Sequence, residues 1–190
     1  MLQGMRGMYA VAAAAMVFAV AACSSSKPAP TAETEPPFRL TGTIKEIMDS
    51  VVDPNADVLW DSVSTTINRE GTIEKMPRTD DDWKTVRRSA VALVEATNLL
   101  VMEGRKMAPA GEKSENPDIE LQPEQMQKLL DADRASWLKY AHGLHDKAMV
   151  ALKAIDAKSV QGLMDAGEGI DEACENCHKH YWYPDEKPVS

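Results

Sequence analysis

Residues 160–183 read VQGLMDAGEGIDEACENCHKHYWY. Val160, Leu163, Gly167, Ile170, Cys174 and Cys177 recur at intervals of three and four, the spacing of one face of an α-helix. At about 100° per residue, Cys174 and Cys177 stand about 300° apart and His178 about 40° from Cys174. A single helical turn therefore presents two sulfurs and an imidazole to the same side. Gly162, Gly167 and Gly169 each weaken such a helix by up to ~1 kcal/mol relative to Ala, so it depends on packing from outside itself.

Upstream, the same periodicity supplies its neighbours. Pro123 opens a long helix with Met126, Leu130, Trp137, Ala141, Leu144, Ala148, Leu152 and Ile155 on one side, and Lys158-Ser159 turns the chain into the last helix. Thr79-Asp80-Asp81-Asp82 offers capping oxygens and negative charge to a helix running through Trp83, Val86, Ala90, Leu93, Val94, Thr97, Leu100 and Val101, which closes at Gly104. Leu40, Ile44, Ile47, Met48 and Val51 predict a first helix over residues 40–52. Asp53-Pro54 stops or kinks it, and a continuation through Val58, Leu59, Val63 and Ile67 runs to Gly71. Between Lys106 and Gln122 lies a polar loop with Pro109, Gly111 and Pro117 and no visible core face. The expectation is an all-α domain of four helices over residues 39–184, followed by a short tail, 185–190.

Composition agrees with helices packed on helices. Of the 190 residues 44% are hydrophobic but only 5% aromatic, a poor supply for a sheet. The net charge of −9 argues against a nucleic-acid partner, which needs a basic surface. Residues 1–22 read as an export signal: Arg6 precedes a run from Met8 to Ala22 without a charge, about the length of a signal peptide rather than a membrane span. It ends in Val20-Ala21-Ala22-Cys23, which resembles a lipobox, so Cys23 is the expected lipidation site. The plain alternative is an ordinary signal peptide containing a Cys. Residues 23–38, with Pro28, Pro30, Pro36 and Pro37, then form an acylated N-terminus and tether to the lipid bilayer. Ser24 after that Cys favours the outer membrane, by resemblance to enteric lipoproteins.

Cys174-Glu175-Asn176-Cys177-His178 matches the C-x-x-C-H pattern of covalent haem attachment. It implies one haem c per chain, with thioether bonds to Cys174 and Cys177 and His178 as proximal iron ligand. The alternative is a disulfide between the two Cys beside an incidental His. Zinc lacks a second ligand pair. Only 12 residues follow His178 and none is Met, so a Met in the sixth position must come from upstream. Short connections between antiparallel helices place Met48, Met102 and Met126 near the end of the last helix, whereas His142 and His145 lie about 30 Å along the bundle.

A C-x-x-C-H on the last of four helices resembles the cytochrome c′ family, over residues 40–183. The resemblance implies a four-helix bundle of cytochrome c′ type with a C-terminal haem-attachment motif. It also implies that Ile44-Lys45-Glu46-Ile47-Met48 is the distal segment, which makes Met48 the sixth ligand or, as in the high-spin members, leaves an apolar cover. Met48 as core filling stays open beside it. Lys45 would pair with a haem propionate or be solvated. A homodimer is an open partner, because the lipobox, Asp53-Pro54 and the Trp-rich body depart from the family. The expected function is one-electron transfer to a redox partner protein in the bacterial periplasm. A five-coordinate haem binding nitric oxide or carbon monoxide, and a structural role, are the alternatives; no acid–base constellation points to an enzyme.

Overall fold

The computed structural model describes residues 37–184. The signal segment, Cys23, the tether up to residue 36 and the tail 185–190 lie outside the described residues. What is described is mostly helical, with one two-stranded sheet.

The first helix begins at Ile44, not Leu40. Thr43 and Glu46 form a reciprocal capping box: the Thr43 N–H donates to Glu46 Oε2 at 2.8 Å and the Glu46 N–H to Thr43 Oγ1 at 3.3 Å. Nor does Asp53-Pro54 stop the chain. Between α1 (Ile44–Ile47) and α2 (Asp53–Ser62) runs a π-helical turn (Met48–Val52), in which the Asp53 N–H donates to the Met48 carbonyl. The wider turn relieves the clash that Pro54 would cause in a regular α-helix. The Asn55 side chain adds a bond to the Val51 carbonyl at 2.7 Å.

The predicted continuation to Gly71 is replaced by a β-hairpin. β1 (Ser64–Asn68) pairs antiparallel with β2 (Gly71–Lys75), Thr66 opposite Ile73 and Ile67 opposite Thr72. Thr65, Thr66 and Ile67 are β-branched and favour strand over helix. Gly71 sits at φ +130°, and the Glu70 N–H donates to Asn68 Oδ1 at 2.9 Å, closing a two-residue turn. Both strands are exposed along their length.

α3 (Asp80–Leu100) starts at its predicted cap, Thr79. The long third helix is instead two, α4 (Pro123–Ala132) and α5 (Arg134–Asp156). Asp133 interrupts it because its carboxylate caps α5, accepting from the Ser136 N–H at 3.0 Å and hydroxyl at 2.7 Å. Lys158, at φ +50°, makes the turn into α6 (Val160–Tyr181), capped by Ser159.

Helices α2, α3, α5 and α6 pack in a closed ring, α2 on α3, α3 on α5, α5 on α6 and α6 on α2. Leu59, Leu93, Leu163, Ile170 and Val52 are fully buried within it, with Ala90, Ala148 and Ala151 letting the helices approach closely. Gly167 is one of the weakening glycines of α6, yet here Trp60 packs tightly against it. A Cβ there would lie 3.2 Å from Trp60 Cδ1, and its carbonyl accepts from Trp60 Nε1–H at 3.0 Å.

The segment between α3 and α4 is not a loop without a core face. Arg105, Met107 and Leu121 are buried. The Ile44 and Lys45 N–H groups donate to the Lys106 and Met107 carbonyls at 2.8 and 2.9 Å, and the Leu121 N–H donates to the Trp182 carbonyl at 2.7 Å. Arg105 donates to the Leu99 carbonyl, at the end of α3, and to the Gly42 carbonyl. A cation at a helix C-terminus satisfies carbonyls left without intrahelical partners. Periodicity cannot reveal such a segment, because its partners are distant in sequence.

Candidate functional site

The last two turns of α6 carry Cys174, Cys177 and His178 on the side facing α1, the π turn and the start of α5. A cleft of about 200 Å³ opens there, lined by Cys177, His178 and Tyr181 on one side and by Ile44, Lys45, Met48, Met107 and Met126 among the residues opposite. A smaller hollow of about 20 Å³ adjoins it, bordered by Cys174, Ala173, Val52 and Tyr140. Met48, Asp53, Trp137, Cys177 and His178 border both. The π turn thus faces the C-x-x-C-H segment, with Met48 at its start and Asp53 at its end.

Both thiols are free. Burial pushes Cys174 up to about 11 and Cys177 up to about 12. A reactive redox C-x-x-C works by the opposite shift, at a helix N-terminus that stabilises thiolate. Here the pair occupies the C-terminal half of α6, where the helix dipole opposes negative charge. Burial also holds His178 below the usual imidazole range, against the pull of Asp53 and Glu175. A neutral imidazole is the form that binds metal.

The His178 ring is held from two sides. Trp182 packs edge-on to it with centroids 5.1 Å apart, and Nδ1 lies 3.5 Å from the Tyr183 hydroxyl, which itself donates to Glu175 Oε2 at 2.7 Å. Across the cleft Lys45 is paired with Asp49 at 2.7 Å, and this hydrogen bond raises its pKa. Lys45 therefore stands in the cleft wall already engaged by a carboxylate. Burial raises Asp53, with His178 opposing.

Of the three upstream methionines that placement selected, Met48 and Met126 border the cleft. Met102 does not: its sulfur accepts from the Arg105 guanidinium at 3.2 Å. Met107 takes the third place. Its backbone is fixed by the Lys45 N–H to its carbonyl and by its own N–H to Gln127 Oε1 at 2.8 Å. The sequence held no periodic signal for it, since it lies outside any helix.

The donor set fits a covalently held haem. Two thiols and an imidazole from one helix border two adjoining hollows, and the larger of these, which Cys177 and His178 line, is also lined by three thioethers. Tyr181 adds a second sign: only 3% exposed, its hydroxyl is buried without a hydrogen-bond partner. An unpaired buried hydroxyl costs ~1–3 kcal/mol, which a polar group entering the cleft would recover. The enclosed volume, about 200 Å³, is less than the ~300–1,000 Å³ of typical ligand sites, so a porphyrin would extend beyond the cleft as it is enclosed here. Among the described residues no group of three or more His, Cys, Asp or Glu gathers as a bare-metal site, and no helix is long and apolar enough to cross a membrane.

No family model, curated protein or solved structure matches this chain.

Proposed function

We propose that the chain is a monohaem c-type cytochrome, a four-helix bundle of cytochrome c′ type, that carries single electrons in the bacterial periplasm from a lipid anchor at Cys23. The observation that supports it most is that Cys177 and His178 border one cleft with Met48, Met107 and Met126, while Cys174 borders the small hollow that adjoins it. Haem, once bound, supplies a one-electron couple. The chain's own part is to attach it through two thioethers from α6, to present His178 with its Nδ1 side occupied, and to exclude water with Ile44, Met107 and Trp137. Met48, which borders both hollows with His178, would supply the sixth ligand, with Met107 and Met126 as the other thioethers of the cleft.

The test is an absorption spectrum of the oxidised and reduced protein beside that of Met48→Ala. A low-spin parent and a high-spin, carbon monoxide-binding variant are expected. A high-spin parent that takes up carbon monoxide readily replaces the electron-carrier reading with the gas-binding one. If Met107→Ala, and not Met48→Ala, changes the spin state, the sixth ligand is Met107.

A further inference from the structure

Glu175 is the first variable residue of the attachment segment, and its position there gives it no role in forming the thioethers. Its carboxylate nevertheless accepts a 2.7 Å hydrogen bond from Tyr183, and Tyr183 places its oxygen 3.5 Å from His178 Nδ1. The N–H groups of Trp182 and Tyr183 both donate to the His178 carbonyl, at 2.7 and 3.0 Å, so the helix ends with Tyr183 one residue beyond its cap and beside the imidazole. Lys179 holds the other oxygen of Glu175 at 3.2 Å, one helical turn away, so the carboxylate is fixed at both ends.

We propose that Glu175 and Tyr183 are positioning residues that orient His178 and set its electron donation to the iron. The inference rests on the haem reading. With the Tyr183 O–H committed to Glu175, the Tyr183 oxygen is left to accept, so His178 carries its proton on Nδ1 and turns Nε2 towards the cleft. A carboxylate behind an imidazole, acting here through one hydroxyl, increases the basicity of the ligating nitrogen. That favours the ferric state and lowers the reduction potential. Trp182, edge-on at 5.1 Å, keeps the ring from rotating out of line.

The experiment uses the holoprotein and measures, for Glu175→Gln, Tyr183→Phe and the double variant, the midpoint potential and, in the background of the methionine variant that makes the ferrous iron five-coordinate, the iron–histidine stretching frequency. The expected result is a potential shifted upward, a several-fold rise in the ferrous-to-ferric ratio at fixed ambient potential, with a lowered stretching frequency. The double variant should shift no further than Tyr183→Phe, because the two residues act as one chain. Potentials and frequencies equal to the parent's overturn the assignment while leaving the haem reading intact. A parent that carries no covalent haem overturns both. Glu175 is solvent-facing, with 42% of its side chain exposed; should Tyr183→Phe fail to fold, Glu175→Gln decides alone.

Discussion

Ala90, Leu93, Ala148, Ala151 and Leu163 fill one part of the helical ring with almost no exposed surface, whereas Cys177, His178 and Tyr181, at the end of α6, and Met48, on the π turn, border open space. At the packed end the polar groups are satisfied. Trp60 Nε1–H reaches the Gly167 carbonyl at 3.0 Å, and Ser159 Oγ accepts from the Gly162 N–H at 3.0 Å at the start of α6. Around the cleft the side chains are soft or polar: thioethers, buried thiols, a neutral imidazole and an unpaired hydroxyl. A core that needed only to fold would have closed this end as it closed the other. On the proposed haem reading, the difference marks where that group would be held.

Breaking the cleft end should change cofactor content without loss of fold. Cys174→Ser with Cys177→Ser is expected to abolish haem that survives extraction in acidified organic solvent, while circular dichroism stays helical. Retention of covalent haem by the double variant would remove these two sulfurs from the account.

At the packed end the effect should be on stability alone. Gly167→Ala puts a methyl 3.2 Å from Trp60 Cδ1; overpacking of ~1–3 kcal/mol should exceed the helix-propensity gain of up to ~1 kcal/mol. Gly143, also helical, has open space where a Cβ would stand. Gly143→Ala should therefore stabilise by up to ~1 kcal/mol. Denaturant midpoints moving in opposite directions are the expected outcome, and a stabilised Gly167→Ala would mean that Trp60 is not held there.

A smaller effect belongs to His178 in the cofactor-free chain. Its folded pKa is depressed below 6.5 by burial, so the unfolded state binds more protons. Stability is then full above about pH 6.5 and declines as pH falls from there towards the folded value. Asp53, raised by burial above 3.8, acts in a more acid interval. His178→Gln should flatten the slope just below pH 6.5; an unchanged slope would assign it to another group.

The two ends also differ in how well the sequence announces them. The packed end was legible: Thr79 caps α3, Lys158-Ser159 turns the chain, and the stripes of α3, α5 and α6 face inward, because short-range signals and a 3.6-residue period control them. Some errors had visible warnings. Thr43-Ile44-Lys45-Glu46 is a capping-box pattern that the apolar spacing from Leu40 obscured, and Thr65-Thr66-Ile67 favours a strand. Asp133 was likewise a cap within an apparently continuous stripe. The cleft end was legible in its motif and in Lys45, Met48 and Met126, which line the cleft. Met107 and Leu121 depend on where distant backbone comes to rest, and no local pattern encodes that; the Glu175–Tyr183–His178 chain is local in sequence but depends on how the backbone leaves α6, which helical periodicity does not specify.

The central claim is that Cys174 and Cys177 hold haem on the exported protein, and peptide mass spectrometry of the purified, proteolysed parent tests it most directly. The account predicts that the peptide spanning Cys174-Glu175-Asn176-Cys177-His178 carries the mass of one haem, joined through both sulfurs and retained after denaturation. The same peptide recovered unmodified, as free thiols or a disulfide, from protein exported by cells able to attach haem would contradict it.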